Sequence, residues 1–257
     1  MNIRKTALFL LTVLTLAGTA IGYAASRNNR RNPEPAFLVI PHKTVPYTIG
    51  HFSSMDVSSS VDIKYTVGPT VSLTARGTEE DLKYLIVRMD KGVLRISRKY
   101  PVGYRRTSYE GIEITLTAPA AERISLSGTA TLTVDNDYKL GGRVLALTLM
   151  DATRANFNGT VNAHEVIADL VGTSRIYFYN QLTTLTTLST SGASTCKIDN
   201  LHTGTLKATA TGASKITLKG TDKKANLATS GASSINVTAL ASRSVKTSIS
   251  GASRIFQ

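Results

Sequence analysis

The sequence predicts an all-β fold: a single-stranded parallel β-helix with coils of about 20 residues and an N-terminal β-rich capping part. Three observations predict it. First, a small-residue marker recurs as Ser127-Gly128-Thr129, Asp151-Ala152-Thr153, Gly172-Thr173-Ser174, Gly192-Ala193-Ser194, Gly212-Ala213-Ser214, Gly231-Ala232-Ser233 and Gly251-Ala252-Ser253, at steps of 23, 21, 20, 20, 19 and 20 residues. A fixed period in this range marks a solenoid, whose units bury their apolar sides only against neighbours. Second, four residues after each glycine (or Asp151) stand Leu132, Ala155, Ile176, Cys196, Ile216, Ile235 and Ile255. Six residues after it stand Val134, Phe157, Phe178, Ile198, Leu218, Val237 and Gln257. Two apolar columns two residues apart have strand periodicity. Third, two residues before each marker stand Leu126, Leu149, Leu170, Thr190, Ala210, Thr229 and Ile249, so a second strand enters every corner.

The chain begins with a secretory signal pattern over residues 1–24. Arg4 and Lys5 precede an uncharged apolar stretch from Ala7 to Ala17, and Gly22 with Ala24, or Gly18 with Ala20, suits a cleavage site. A stretch that short falls below the ~20 residues of a membrane span, so export and cleavage are expected, with no span left afterwards. Residues 25–46 carry Arg27, Arg30, Arg31, three asparagines and four prolines, and read as an extended tether.

Residues 47–257 form the expected domain. Val61–Val67 and Val71–Ala75 alternate around Gly68-Pro69 and read as a hairpin or two successive coil strands. Thr78 precedes Glu79-Glu80-Asp81-Leu82, the pattern of a short helix with Thr78 as N-cap. Leu85–Arg88, Val93–Ser97 and Ile112–Thr117 are short and β-like. This front part either begins the solenoid or caps it, since an open coil end exposes core and unpaired edges. From residue 124 onward each unit reads as strand, tight corner, strand and looser turn. Glycine supplies the corner conformation, and the Ser or Thr two residues later can bond nearby backbone. A β-roll or an antiparallel sandwich is the competing fold, and it explains the corner ladder less well.

Several of these pieces in order resemble the bacterial head GIN domain family. They are Phe52-Ser53-Ser54-Met55-Asp56-Val57, Val61-Asp62-Ile63 with Val71-Ser72-Leu73, Gly77-Thr78-Glu79-Glu80-Asp81-Leu82, Gly92-Val93-Leu94-Arg95-Ile96, Ile114 to Pro119, Ile124-Ser125-Leu126-Ser127-Gly128, and the later Ser-Gly-Ala-Ser units. The resemblance spans roughly residues 48–257. It implies a right-handed parallel β-helix, a signal peptide and an envelope or extracellular location, and it brings no catalytic residues. No barrel-forming segment follows the last repeat, so only the passenger-like part of an autotransporter is expected here.

The formal net charge is +13, and +11 once Arg4 and Lys5 leave with the signal. A basic exported protein is biased toward anionic polysaccharides or envelope polymers. Nucleic acid is not expected, for lack of a recognition motif. Candidate ligand-binding residues are Arg154, Arg175, Lys215 and Arg254, each three residues past a corner and expected on one outward stripe. Tyr104, Arg105 and Arg106 join them on a loop rich in cations and tyrosines, a combination suited to stacking and anion contact. Outward hydroxyl stripes are also expected, including Thr148, Ser189, Thr209 and Ser248.

Two other readings compete with a binding module. One is a carbohydrate-active enzyme, which needs two carboxylates facing one cleft; Asp151 and Asp169 are the plausible pair. The other is a purely structural envelope protein. His42, His51, His164 and His202 share no metal-ligand spacing, and no cofactor is implied. The single cysteine, Cys196, falls in an inward column and reads as a buried hydrophobe. A non-catalytic, periplasmic or extracellular adhesin-like module is the reading the sequence favours.

Overall fold

The computed structural model describes residues 41–103 and 111–257. Its front part contains β1 (His42–Tyr47), β2 (Ser54–Ser58), β3 (Val61–Val67), β4 (Ser72–Thr78), α1 (Glu79–Lys83), β5 (Leu85–Asp90), β6 (Val93–Arg98) and β7 (Ile112–Ala118). The repeats contribute β8 (Arg123–Ser127), β9 (Thr131–Val134), β10 (Tyr138–Lys139), β11 (Val144–Leu149), β12 (Arg154–Asn162), β13 (Glu165–Leu170) and β14 (Arg175–Thr190). They continue with β15 (Thr195–Ala210), β16 (Lys215–Thr229), β17 (Ser234–Ser242), β18 (Val245–Ile249) and β19 (Arg254–Phe256).

The expected β-solenoid is present, with parallel coils stacked in register. Leu132, Ala155, Ile176, Cys196, Ile216, Ile235 and Ile255 pair residue for residue along one column. The first six are at most 2% exposed, and Ile255 is partly covered. Val134, Phe157, Phe178, Ile198 and Leu218 form the neighbouring column, all buried. Two rings of this column belong to an aromatic spine: Tyr65, Tyr138, Phe157 and Phe178 follow one another at centroid distances of 5.9, 5.5 and 5.0 Å. Each fully buried side chain of this size contributes about 1.5–3 kcal/mol, so the columns dominate the stability of the coils. Ile249 and Gln257, also expected to face inward, are exposed on the last coil.

A full coil has three faces. The pairing of β14 with β15 covers 175–178, 180–183 and 185–190 and skips Tyr179 and Thr184, where the chain bends. The third face ends at the Gly-Ala-Ser corner, which leads into the next coil. Gly172, Gly192, Gly212, Gly231 and Gly251 all lie at φ between 70 and 85°. The backbone there is shared from coil to coil: the N–H of Ala193 donates to the Gly172 carbonyl, and that of Ala213 to Gly192, each at 2.7 Å. A Cβ on Gly192 would come within 2.5 Å of the Gly172 carbonyl oxygen, so contact as well as φ demands glycine. The following serines turn inward; Ser233 Oγ, for example, donates to the carbonyls of Ala210 (2.8 Å) and Ser230 (2.9 Å).

The front part both supplies coils and closes the end, but not in chain order. β6 and β7 stack outside β2 and β3, and β2 and β3 lie directly against β8 and β9. β4 and β5 then run antiparallel to β7 and β6, and β1 runs antiparallel to β4. The expectation of a hairpin or two successive coil strands over Val61–Val67 and Val71–Ala75 is therefore corrected: β7 lies between β3 and β4, parallel to the first and antiparallel to the second. The expected tether is also shorter at its C-terminal side, because His42–Tyr47 pairs with Leu73–Thr78 as β1. The short helix forms as expected. Thr78 Oγ1 accepts the Asp81 N–H at 3.1 Å and donates to the Asp81 carboxylate at 3.0 Å.

Candidate binding surface

The four repeat cations form one outward column because position 3 after each corner alternates with the inward position 4. In register the column reads Glu113, Asp62, Thr131, Arg154, Arg175, Thr195, Lys215, Ser234, Arg254. Acidic at its front end, it becomes cationic over the last six coils. Arg154, Arg175, Lys215 and Arg254 are all exposed. None of the four has an ion-pair partner among the described residues. Arg154 to Arg254 is five coil steps, or about 24 Å at the ~4.8 Å strand spacing.

The adjacent column differs. Tyr177 and Lys197 are in-register neighbours, with Lys197 Nζ 5.0 Å from the tyrosine ring centroid. Asp199 accepts hydrogen bonds from Lys197 Nζ and the Tyr177 hydroxyl, both at 2.9 Å, and Lys219 Nζ lies 3.8 Å away. The Lys197 hydrogen bond holds the Asp199 carboxyl below its ordinary range, despite partial burial. Lys197 and Lys219 are thus already compensated, while the four column cations are not. Tyr179, 52% exposed, adds an aromatic face at the bend beside them. Tyr104, Arg105 and Arg106 lie outside the described residues.

Asp151 and Asp169 occupy different structural roles. Asp151 takes glycine's place at its corner, with φ 62°, and its carboxylate accepts the Gly128 N–H at 2.9 Å. Asp169 stands on the face before the corner, between Thr148 and Ser189 in the expected hydroxyl stripe. That stripe is one column from Ser125 through Thr209 to Ser248, interrupted by Asp169 and Ala228. The hydroxyls one residue before the corners serve backbone: those of Ser191 and Thr211 donate to Leu170 and Thr190 carbonyls. Cys196 is fully buried, and burial pushes its thiol up to about 12, so it stays protonated at neutral pH.

An open groove of about 720 Å³ was not anticipated from the sequence. It follows the bend between the second and third faces. Its floor is the in-register row Thr183, Thr203, Asp222 and Ser242. Leu182, His202 and Thr221 line one side, and Gly204, Lys223 and Arg243 the other. His202 Nδ1 and Thr221 Oγ1 are 2.9 Å apart, and Thr183 Oγ1 donates to Thr203 Oγ1 at 3.0 Å.

The chain matches the family profile described as "Putative auto-transporter adhesin, head GIN domain" over residues 51–212 and 183–256. Solved structures share the fold. An adhesin-labelled protein of Bacteroides fragilis is 17% identical, with TM-score 0.68, and the match covers 82% of this chain and 97% of that one. A second, from Parabacteroides distasonis, is 13% identical with TM-score 0.66, covering 82% and 96%. A further Parabacteroides distasonis structure, titled a putative lipid binding protein, is 14% identical with TM-score 0.59, covering 83% and 95%. No curated protein matches the chain.

Proposed function

The chain belongs to the head GIN domain family of adhesin-described proteins, and on that premise we propose that it is an exported, non-catalytic binding module of the cell envelope that engages anionic polysaccharide or envelope polymer along its cationic column. The observation that carries this reading is the row of Arg154, Arg175, Lys215 and Arg254, exposed, aligned and without carboxylate partners among the described residues. Arginine presents planar donors that match carboxylate, sulfate or phosphate bidentately. Cations repeated along about 24 Å suit a linear polyanion better than one compact ligand, because each group adds to a multivalent contact. Export is supported by the signal pattern of residues 1–24. No helix among the described residues is long and apolar enough to cross a membrane.

The test compares binding to an acidic polysaccharide and to a neutral one of equal length. The expected result is preference for the acidic polymer that weakens steeply as salt rises from about 0.05 to 0.5 M. Replacing all four column cations by alanine should reduce that binding by about tenfold or more while leaving the fold intact, since the residues face outward. Equal binding to both polymers would sink the proposal.

A further inference from the structure

We infer that the third face carries an anion seat of its own, centred on Ala228 and built for a tetrahedral oxyanion, the sulfate or phosphate monoester group of a larger molecule. It uses none of the residues of the cationic column and stands or falls separately from it. Two outward rows build the seat. One reads Ser189, Thr209, Ala228 and Ser248, the other Thr187, Lys207, Asn226 and Lys246, each in register from coil to coil. These positions alternate with the buried Ala208 and Leu227, so both rows face solvent. In the first row Ala228 interrupts the hydroxyls, and its small side chain leaves a shallow recess of about 340 Å³. Thr209 and Ser248 flank Ala228 along its own row, and Lys207, Asn226 and Lys246 line the recess from the next.

Every polar group around the recess can donate: two hydroxyls, one amide and two ammonium groups. None of these five side chains is engaged in a hydrogen bond or ion pair with another described residue. Thr209, Ser248, Lys207 and Lys246 are exposed, and Asn226 is half-buried. Lys207 and Lys246 stand two coils apart, about 10 Å at the backbone, so a charge above Ala228 lies between them and within reach of both flexible chains. The nearest carboxylate in either row is Asp169, three coils before Ala228 and about 14 Å away. Lys197 and Lys219, by contrast, already have Asp199. Donors on several sides of one point suit a group with three free oxygens, whereas a carboxylate offers two in one plane. The cation type agrees: the planar fork of arginine matches carboxylates, while the cations here are lysines, which bind phosphate as point charges. Lys224, exposed two residues before Asn226, adds to the positive field without lining the recess.

The experiment follows backbone amide resonances of the intact protein by NMR during titration with glucose 6-sulfate, glucose 6-phosphate and glucuronate. The first and last carry one negative charge each on the same sugar, so they differ in the shape of the anion and not in its charge. At least one of the two esters should shift the amides of Asn226, Ala228 and Ser248 saturably, and more tightly than glucuronate does; whichever ester binds more tightly names the monoester. Lys207→Ala combined with Lys246→Ala should lower that affinity by about tenfold or more. Ala228→Leu keeps every charge and fills the recess, and it should lower the affinity as much. Lysines that only keep the face soluble would be indifferent to that change. The variant with all four column cations replaced by alanine should bind within about twofold of the parent, because its sites lie on another face. Absence of a saturable shift with both esters, equal affinity for glucuronate, or undiminished binding by Ala228→Leu overturns the inference. Loss through the column variant alone would assign the anion to the cationic column and overturn it equally.

Discussion

The coils before residue 119 and those after residue 123 share one core but are assembled by different rules. In the repeats each coil stacks on the one synthesised before it, and small corners allow the close approach. In the front part the later strands β6 and β7 lie outermost, and the earlier β2 and β3 are held between them and β8 and β9. Antiparallel β4 and β5 then cover the outer edges that parallel stacking would leave open. Regular propagation thus needs only a local repeat, whereas starting a solenoid needs non-local pairing and a reversal of strand direction.

Phe157→Ala should have the largest effect, because this ring joins the front aromatics to the first long repeat between Tyr138 and Phe178. A loss of about 3–5 kcal/mol is expected in urea unfolding. If front and repeats form one cooperative unit, a single transition should shift as a whole; two transitions would separate them.

The corners sharpen the contrast. Gly192→Ala should cost about 3 kcal/mol, since it combines positive φ with a 2.5 Å approach to the Gly172 carbonyl oxygen. Gly128→Ala, where the repeats meet the front coil, has similar φ but no contact closer than 3.5 Å to Ser59, and about 1 kcal/mol is expected. Equal losses at both glycines would show that coil-to-coil approach does not matter.

A smaller effect separates Asp222 from its row. Burial raises its carboxyl above the ordinary value of 3.8. The folded chain then holds its proton more tightly than the unfolded one, so this group lowers stability as pH climbs from the unfolded value through the raised folded one. Asp222→Thr should accordingly be more favourable to stability, relative to the parent, at about pH 7 than at about pH 4. A difference independent of pH would contradict the cost of burying this carboxylate.

What the sequence discloses follows the same division. Ile176, Cys196, Ile216 and Ile235 were legible because each is counted from its own corner, and so was the cation column. The groove was not. Thr183, Thr203 and Ser242 stand 11 residues past their glycines but Asp222 stands 10, because the pairing of β15 with β16 slips between Ile198 and Leu201. A fixed count therefore misses the row. The front order was equally hidden: short alternating strands state which side is buried, not which strand lies next to them. Val61–Val67 and Val71–Ala75 alternate around Gly68-Pro69 and so read as a hairpin or two successive coil strands, but the strand that lies between them, β7, comes some 40 residues later in the chain.

Disulfide trapping tests the assembly most directly, in a Cys196→Ala background. Val57 is in register with both Ile96 and Leu126, whereas Ile96 and Leu126 are two strands, about 10 Å, apart. Only neighbours fall within the roughly 4.4–6.8 Å Cα range of a disulfide. Mild oxidation should therefore cross-link Val57→Cys with Leu126→Cys and leave Ile96→Cys with Leu126→Cys as free thiols. Cross-linking of the second pair but not the first would mean that the front coils stack in chain order, against the structure described.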